Sequence, residues 1–259
     1  MLNFIKLSVI VREIVTLGAV MTKKWLILIF FAIIFLNRGL GCSAQQTIIN
    51  VPNDDVLPLG DMIFKESNRF SPFYPDGYAT ITPSTTFGTG RGTEISTGIA
   101  TTLDGNTVVR GDISAKKVWF LGHSTRITTG ATISPYLSQA DRPNTFVFAH
   151  FSHRIKETKT SLTAGGYIGG HNSFPNDGGV LFGLEQVLIP NKLRLAFDWM
   201  SGHNSNGRMG VGLKYRPVPT LSITSAVILA NNDEENVSFN ISISKFISLK
   251  NNTVAKRRL

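Results

Sequence analysis

The sequence predicts an all-β fold: an antiparallel up-and-down transmembrane β-barrel of about 12 strands, preceded by a signal peptide. Three observations predict it. Apolar and polar residues alternate with a period of two along most of the chain, turn sequences separate these runs at similar intervals, and an N-terminal export signal is followed by no apolar helix. The 24 glycines and the low share of charged residues, 17%, also suit β-structure better than a helical enzyme.

The N-terminus has the three regions of a secretory signal. A basic start after Met21 precedes an apolar run at 26–36 and a short polar stretch that allows cleavage after Ala44. The run is too short to span a bilayer comfortably. The alternatives are lipidation of Cys42, the only cysteine, and retention of the run as an anchor. Residues 1–20 are interpreted as an extension upstream of a complete signal, and cleavage would leave a mature chain without thiols or disulfides.

The formal charge of +9 belongs to the two ends of the chain. Residues 1–44 hold five basic residues and one acidic residue, and the stretch from Lys250 onward holds four basic residues and no acidic ones. The body between them carries 17 basic and 16 acidic residues and is nearly neutral. A basic face for nucleic acid is therefore not predicted, and no nucleic-acid partner is expected.

Composition and turn signals divide the chain into four regions. Residues 1–44 are the N-terminal extension and signal, 45–60 an ordered entry segment rich in turn residues, 61–247 the β-barrel, and 248–259 a basic tail. Most predicted strands are long enough to cross a membrane when tilted, at roughly 9 to 11 residues each. The strand-like runs lie near 61–70, 78–89, 94–103, 106–121, 125–138, 144–156, 160–171, 179–189, 192–202, 208–217, 220–231 and 236–247.

The alternation varies in clarity along the first half of the barrel. The run at 106–121 alternates well until Lys117, which breaks the phase and indicates either a bulge or the point where the strand leaves the membrane. The run at 144–156 is ambiguous, because Phe146, Phe148 and Phe151 do not share one parity. The pattern there leaves open which face is apolar.

The last third of the chain carries the clearest pattern. In the run at 208–217, Met209, Val211, Leu213 and Tyr215 share one face, and glycines and basic residues share the other. The runs at 192–202, 220–231 and 236–247 alternate in the same way. Short turn sequences between neighbouring runs make them antiparallel hairpins. The longer connections at 139–144, 172–178 and 203–207 are candidates for outer loops.

Two architectures accept a sheet with one apolar face. A soluble sandwich buries that face between two sheets, whereas a membrane barrel turns it toward lipid and encloses the polar face. The export signal, the long and evenly spaced strands, and ionisable residues on the polar face of central strands favour the barrel. Closure also removes the sheet edges and pairs every backbone group, as lipid requires.

The charges on the polar face form the candidate functional set. Two interpretations remain open: they line a water-filled pore whose slight excess of cations favours anionic solutes, or they pair across strands and fill the lumen. An Asp198–Arg194 pair, and a pair between Glu185 and an arginine of a neighbouring strand, are examples of the second. The predicted pore-lining residues are Arg110, Asp112, Lys116, Glu185, Arg194, Asp198, Lys214 and Arg216.

Catalytic, metal and cofactor sites are not predicted. His150 and His153 fall on opposite faces of a strand, so one metal ion does not readily bind both. Asp198, Ser201 and His203 are close in sequence, but Asp198 and His203 also fall on opposite faces, and no nucleophile elbow precedes them. The expectation is a protein that is not an enzyme and carries no cofactor.

Five segments of the chain carry a resemblance to a known family: Ile48 to Pro52, Asp55 to Gly60, Gly90 to Glu94, Phe182 to Gln186 and Ala196 to Gly202. With these segments the chain resembles bacterial outer-membrane β-barrel proteins of the porin-like type. The resemblance covers most of the mature chain, and it implies a fold and a location without a substrate. The opening segment is also similar to that of barrel proteins associated with exopolysaccharide export.

These observations predict an outer-membrane pore or passive transporter for small polar solutes, exported through a cleaved signal peptide. The alternative is a non-conducting barrel with a structural or envelope-biogenesis role, including polysaccharide export. The expected partners are membrane lipid, the outer-membrane assembly machinery and small polar or anionic solutes.

Overall fold

The structure is a computed structural model, which describes residues 47–72, 77–103, 107–138, 143–169, 178–202, 206–231 and 237–249. The predicted signal, residues 250–259 of the predicted basic tail and most of each predicted outer loop lie outside these residues. The described part of the chain forms twelve strands. They are β1 (Asp61–Ser71), β2 (Tyr78–Gly90), β3 (Thr93–Leu103), β4 (Thr107–Phe120), β5 (Thr125–Ser134), β6 (Asn144–Ile155), β7 (Thr160–Ile168), β8 (Gly178–Ile189), β9 (Leu193–Met200), β10 (Arg208–Val218), β11 (Leu221–Ala230) and β12 (Val237–Ser248).

The strands close into a single antiparallel barrel. Each strand pairs with its neighbours in the sequence, and β1 pairs with β12 over ten registered positions, from Asp61 opposite Ser248 to Phe70 opposite Phe239. Closure leaves no sheet edge and places the backbone hydrogen bonds between strands. The predicted fold class is confirmed. The described residues contain no helix long and apolar enough to cross a membrane.

The two ends of the barrel differ in the length of their connections. At the short-turn end, tight turns such as 91–92, 190–192 and 219–220 join successive strands. Asn191 has a φ of 60°, a left-handed conformation that asparagine tolerates in tight turns. At the opposite end, the loop end, longer connections follow β5, β7 and β9.

The outer surface of the barrel is apolar along most strands. Side chains that alternate outward are well exposed, for example Leu213 at 45%, Ile241 at 45% and Phe151 at 48%. Their inward neighbours are polar, small or buried. An exposed apolar belt of this kind is typical of a barrel whose outer face meets lipid.

Three local predictions are settled by the strand registers. The regular strand β5 ends at Ser134 rather than at 138, because Pro135 has no N–H to donate to β4. Contact with β4 continues through isolated hydrogen bonds, from the amide of Gly111 to Pro135 and from the amide of Leu137 to Val109. No bulge occurs at Lys117, which keeps its register on both sides and faces outward near the short-turn end. In β6, Phe146 and Phe148 face inward.

Candidate functional site inside the barrel

The barrel encloses a stretch of its own chain. We call residues 47–58 the lumenal segment: it precedes β1, has no regular secondary structure beyond isolated bridges, and contacts inward-facing side chains around the wall. Ile48, Val51, Asn53, Asp54 and Leu57 are each less than 5% exposed. The predicted pore-lining residues therefore face a lumen that is already partly occupied.

Asp198 of β9 holds the N-terminal half of the lumenal segment. Its Oδ2 accepts hydrogen bonds from the backbone amides of Ile49 at 2.8 Å, Asn50 at 2.5 Å and Val51 at 2.8 Å. Its Oδ1 accepts a fourth from Nδ2 of Asn50 at 3.0 Å. Because the carboxylate is fully buried, these bonds to a charged acceptor are strong and expensive to lose.

A second anchor holds the C-terminal half of the segment. Lys116 of β4 and Glu94 of β3 form an ion pair at 3.0 Å in which both side chains are completely buried. Lys116 donates to the carbonyl oxygens of Asn53 and Asp55, and Glu94 accepts from the amide of Leu57. The pair thus uses its remaining hydrogen-bonding capacity on the backbone of the segment, which offsets the cost of burying the charges.

Two arginines and two aspartates form a third anchor. Arg126 of β5 lies 3.0 Å from Asp54, and Arg154 of β6 lies 2.7 Å from Asp55. Each arginine also lies 3.6 Å from the other aspartate. The acids belong to the lumenal segment and the bases to the wall, so this network ties the segment to two neighbouring strands.

The two aspartates of this network titrate differently. Burial raises the pKa of Asp54, and the adjacent Asp55 carboxylate raises it further. Burial also acts to raise the pKa of Asp55, but the charge and hydrogen bond of Arg154, together with the charges of Lys214 and Arg194, outweigh burial and hold that pKa below its usual value. Asp55 therefore stays ionised to a lower pH than Asp54.

Apolar contacts complete the attachment on one side of the lumen. Ile48 and Val51 belong to a buried cluster with residues of β6, β7, β8 and β9, and Phe146 and Ile49 pack against it. The ring of Phe146 stacks 5.6 Å from that of Phe148. The wall residues of the cluster are Phe148, Tyr167, Leu181, Ala196 and Met200. This side of the lumen is filled by side chains.

The other side of the lumen keeps an open volume, which we call the cationic cavity. It measures about 380 Å³ and lies between the lumenal segment and the inner faces of β9, β10, β11, β12 and β1. It reaches the β10–β11 turn at Pro219 and Thr220. Those turn residues are exposed, so the cavity opens at the short-turn end. Its charged lining residues are Lys65, Arg194, Lys214, Arg216 and Asp55.

The structure places all eight predicted pore-lining residues on the inner face, in three groups. Arg110 and Asp112 pair with each other at 3.3 Å on β4. Lys116 and Asp198 hold the lumenal segment. Glu185 of β8 lies 2.7 Å from Lys214 and 4.0 Å from Arg194. Arg194, Lys214 and Arg216 line the cationic cavity.

Of the two charge pairs expected from the sequence, one is present in the structure. The pair between Glu185 and an arginine of a neighbouring strand is present, with Arg194 as the arginine. The Asp198–Arg194 pair is wrong, because the lumenal segment supplies four donors to Asp198. His150 and His153 lie on opposite faces as predicted: His150 is buried inside and His153 faces outward.

Several residues of the site were missed by sequence reasoning. Glu94, Arg126, Arg154 and Lys65 all sit at inward positions, and parity alone marks Arg126 as a polar-face residue beside Thr128. The second available signal was the adjacent acid pair in an entry segment that otherwise has no charge. Neither signal identifies the partner without the strand register.

Comparison with known proteins agrees with the architecture. No protein-family model matches the chain, and no curated protein matches it. Among solved structures, it is similar to a KdgM porin, with a TM-score of 0.50 and 8% identity over 71% of this chain and 98% of that one. At this identity the likeness shows the fold, and in that respect the predicted resemblance to porin-like barrels is confirmed.

Two further solved structures are also similar to this chain. The COG4313 outer membrane channel from Pseudomonas putida F1 has a TM-score of 0.49 and 11% identity, over 75% of this chain and 98% of that one. Outer membrane phospholipase A from Escherichia coli has a TM-score of 0.44 and 9% identity, over 78% of this chain and 96% of that one. A fold does not fix a function, so the function of this barrel depends on its interior site.

Proposed function

We propose that this protein is an outer-membrane β-barrel that acts as a passive channel for small polar solutes and prefers anions. The observation that carries the proposal is the cationic cavity, an open volume inside a closed barrel that is lined mainly by basic side chains. A cation-lined passage attracts anions and repels cations at close range.

The charge balance of the cavity supports the preference for anions. Lys214 and Arg194 share the single carboxylate of Glu185. Within the described residues, no carboxylate lies within 4.0 Å of the charged nitrogens of Lys65 or Arg216. Asp55, the acid that lines the cavity, is already paired with Arg154. The cavity therefore keeps an excess of positive charge.

The outer face of the barrel supports a location in the outer membrane. The exposed apolar belt matches lipid, and closure satisfies the backbone without water. Export through a cleaved signal peptide and insertion by the outer-membrane assembly machinery belong to the same proposal. The proposed role requires no catalytic residue and no cofactor.

The experiment is measurement of reversal potential in planar bilayers under a salt gradient. Lys65→Glu/Arg216→Glu reverses the charge of two cavity cations that have no described carboxylate partner. The double substitution therefore breaks no described ion pair. Lys117→Glu/Lys245→Glu makes the same charge change on the outer face near the same end.

The wild-type channel should favour anions, the cavity variant should shift toward cations, and the outer variant should not shift. An unchanged reversal potential in the cavity variant contradicts the anion path. Absence of conductance in every form would instead favour the structural or export-associated alternative.

A further inference from the structure

The inner wall contains a built binding site for an extended stretch of backbone, and residues 47–58 occupy it. We propose that the lumenal segment is a displaceable plug that closes the channel when it is docked. The proposal rests on the channel function above. It adds that the wall and the segment form an autoinhibitory contact.

The anchors reach the segment from opposite sides of the barrel. Contacts come from β3 and β4 through Glu94 and Lys116, and from β5 and β6 through arginines. Asp198 supplies the contact from β9, and Arg69 of β1 donates to Oδ1 of Asn50 at 3.2 Å. A stretch held from this many directions runs across the lumen rather than along one wall.

The wall is also shaped to admit the segment. Three inward glycines lie against it, at positions where a Cβ atom would come within 3.0 Å of an atom of the segment. A Cβ at Gly88 would lie 2.0 Å from the carbonyl oxygen of Pro58, and a Cβ at Gly183 would lie 2.3 Å from Cδ1 of Ile48. A Cβ at Gly210 would lie 2.9 Å from Nδ2 of Asn50. The missing side chains on β2, β8 and β10 create the space that the segment fills.

The docked segment blocks passage on the side where it is apolar. Ile48 and Val51 pack into the buried cluster of β6 to β9, which fills that side of the lumen with apolar side chains. An apolar constriction resists the entry of water and ions. The cationic cavity remains open toward the short-turn end and has the segment as part of its wall. Displacement of the segment would join this cavity to the rest of the lumen.

The polar anchors make displacement possible without unfolding the barrel. The segment contributes no strand to the barrel, whose ladder is complete without it. Asp198, Glu94 and the two arginines are charged groups that water can solvate once the segment leaves. Docked and undocked states can therefore share one barrel.

A reversible cross-link tests the plug. A Cβ at Gly210 would lie 3.0 Å from Cγ2 of Ile49. Since Cγ2 is one bond from Cβ, the Cβ atoms of residues 49 and 210 would be at most about 4.5 Å apart, within reach of a disulfide. The test protein is the full chain with Ile49→Cys and Gly210→Cys, in a Cys42→Ser background that removes the native thiol. Gly210→Cys alone is the matched control, because it makes the same intrusion without a cross-link.

Conductance is recorded in planar bilayers before and after reduction, with heat-dependent gel mobility as the check on folding. The oxidised double variant should lose its conductance and regain it on reduction, whereas the control should not respond. Asp198→Asn should spend a larger fraction of time open than the wild type. If the cross-linked form conducts as well as the reduced form, the plug is overturned and the channel stands. If no form conducts, including Asp198→Asn, both the channel and its plug are overturned.

Discussion

Removal of the charge on Asp198 should release the N-terminal half of the lumenal segment while leaving the barrel folded. In Asp198→Asn the carbonyl oxygen can stay where the amides of Ile49, Asn50 and Val51 converge, but it offers only two lone pairs to these three donors, and the new NH2 group then faces the fourth donor, Nδ2 of Asn50. About two of these buried donors then lose their acceptor, at roughly 1 to 3 kcal/mol each. The expected cost to docking is about 2 to 6 kcal/mol, a factor of roughly 30 to 10,000 or more in the docking equilibrium.

Hydrogen–deuterium exchange of residues 47–58 measures this change directly. Exchange at Ile49, Asn50 and Val51 should accelerate in Asp198→Asn, because these amides exchange only when the segment opens. Asp112→Asn is the matched control: it neutralises another buried inward acid, whose ion pair is with Arg110 on the same strand. Exchange that stays as slow in folded Asp198→Asn as in the wild type would refute the proposed role of Asp198.

Three other substitutions test separate parts of the account. Glu94→Gln leaves Lys116 as an unpaired buried charge and should lower the free energy of unfolding in urea by about 3 to 5 kcal/mol. The double variant Glu94→Gln/Lys116→Met should restore most of that loss. Equal stability of the wild type and both variants would contradict the buried pair. Leu213 points outward in the middle of β10, so Leu213→Arg should lower folding stability in lipid bilayers by about 2 to 4 kcal/mol. Unchanged stability would count against lipid contact. Gly183→Leu should expel Ile48 and speed amide exchange in the lumenal segment without unfolding the barrel; unchanged exchange would mean that the wall does not shape the docking site.

The strands could be predicted from the sequence because each one separates two environments. Lipid on one face and the lumen on the other impose a period of two that is visible without any partner, as in Met209 to Tyr215. The predictions failed locally where that rule competes with another. Pro135 ends β5 early because it lacks an N–H, and Phe146 and Phe148 break the apparent polarity of β6 because the inner face there is apolar.

The lumenal segment could not be placed from the sequence. Its contacts are made largely through backbone atoms, such as the amides that donate to Asp198. Every residue type except proline has such an amide, so the sequence does not show which segment makes these contacts. Gly183 and Gly210 are visible as glycines, but their role depends on which stretch of chain lies against them. The inner face of Asp198 was predictable from strand parity, whereas its partner was not, because that partner lies almost 150 residues away in the chain.

Fluorescence quenching tests most directly whether the outer face of the barrel touches lipid. Trp119 and Trp199 face outward and are 44% and 37% exposed, and Trp25, the third tryptophan, can be replaced by phenylalanine. In vesicles of phospholipids with brominated acyl chains, the two remaining tryptophans should be strongly quenched and should be protected from aqueous iodide. Strong quenching by iodide together with none by the brominated lipid would contradict the membrane barrel and the channel proposed within it.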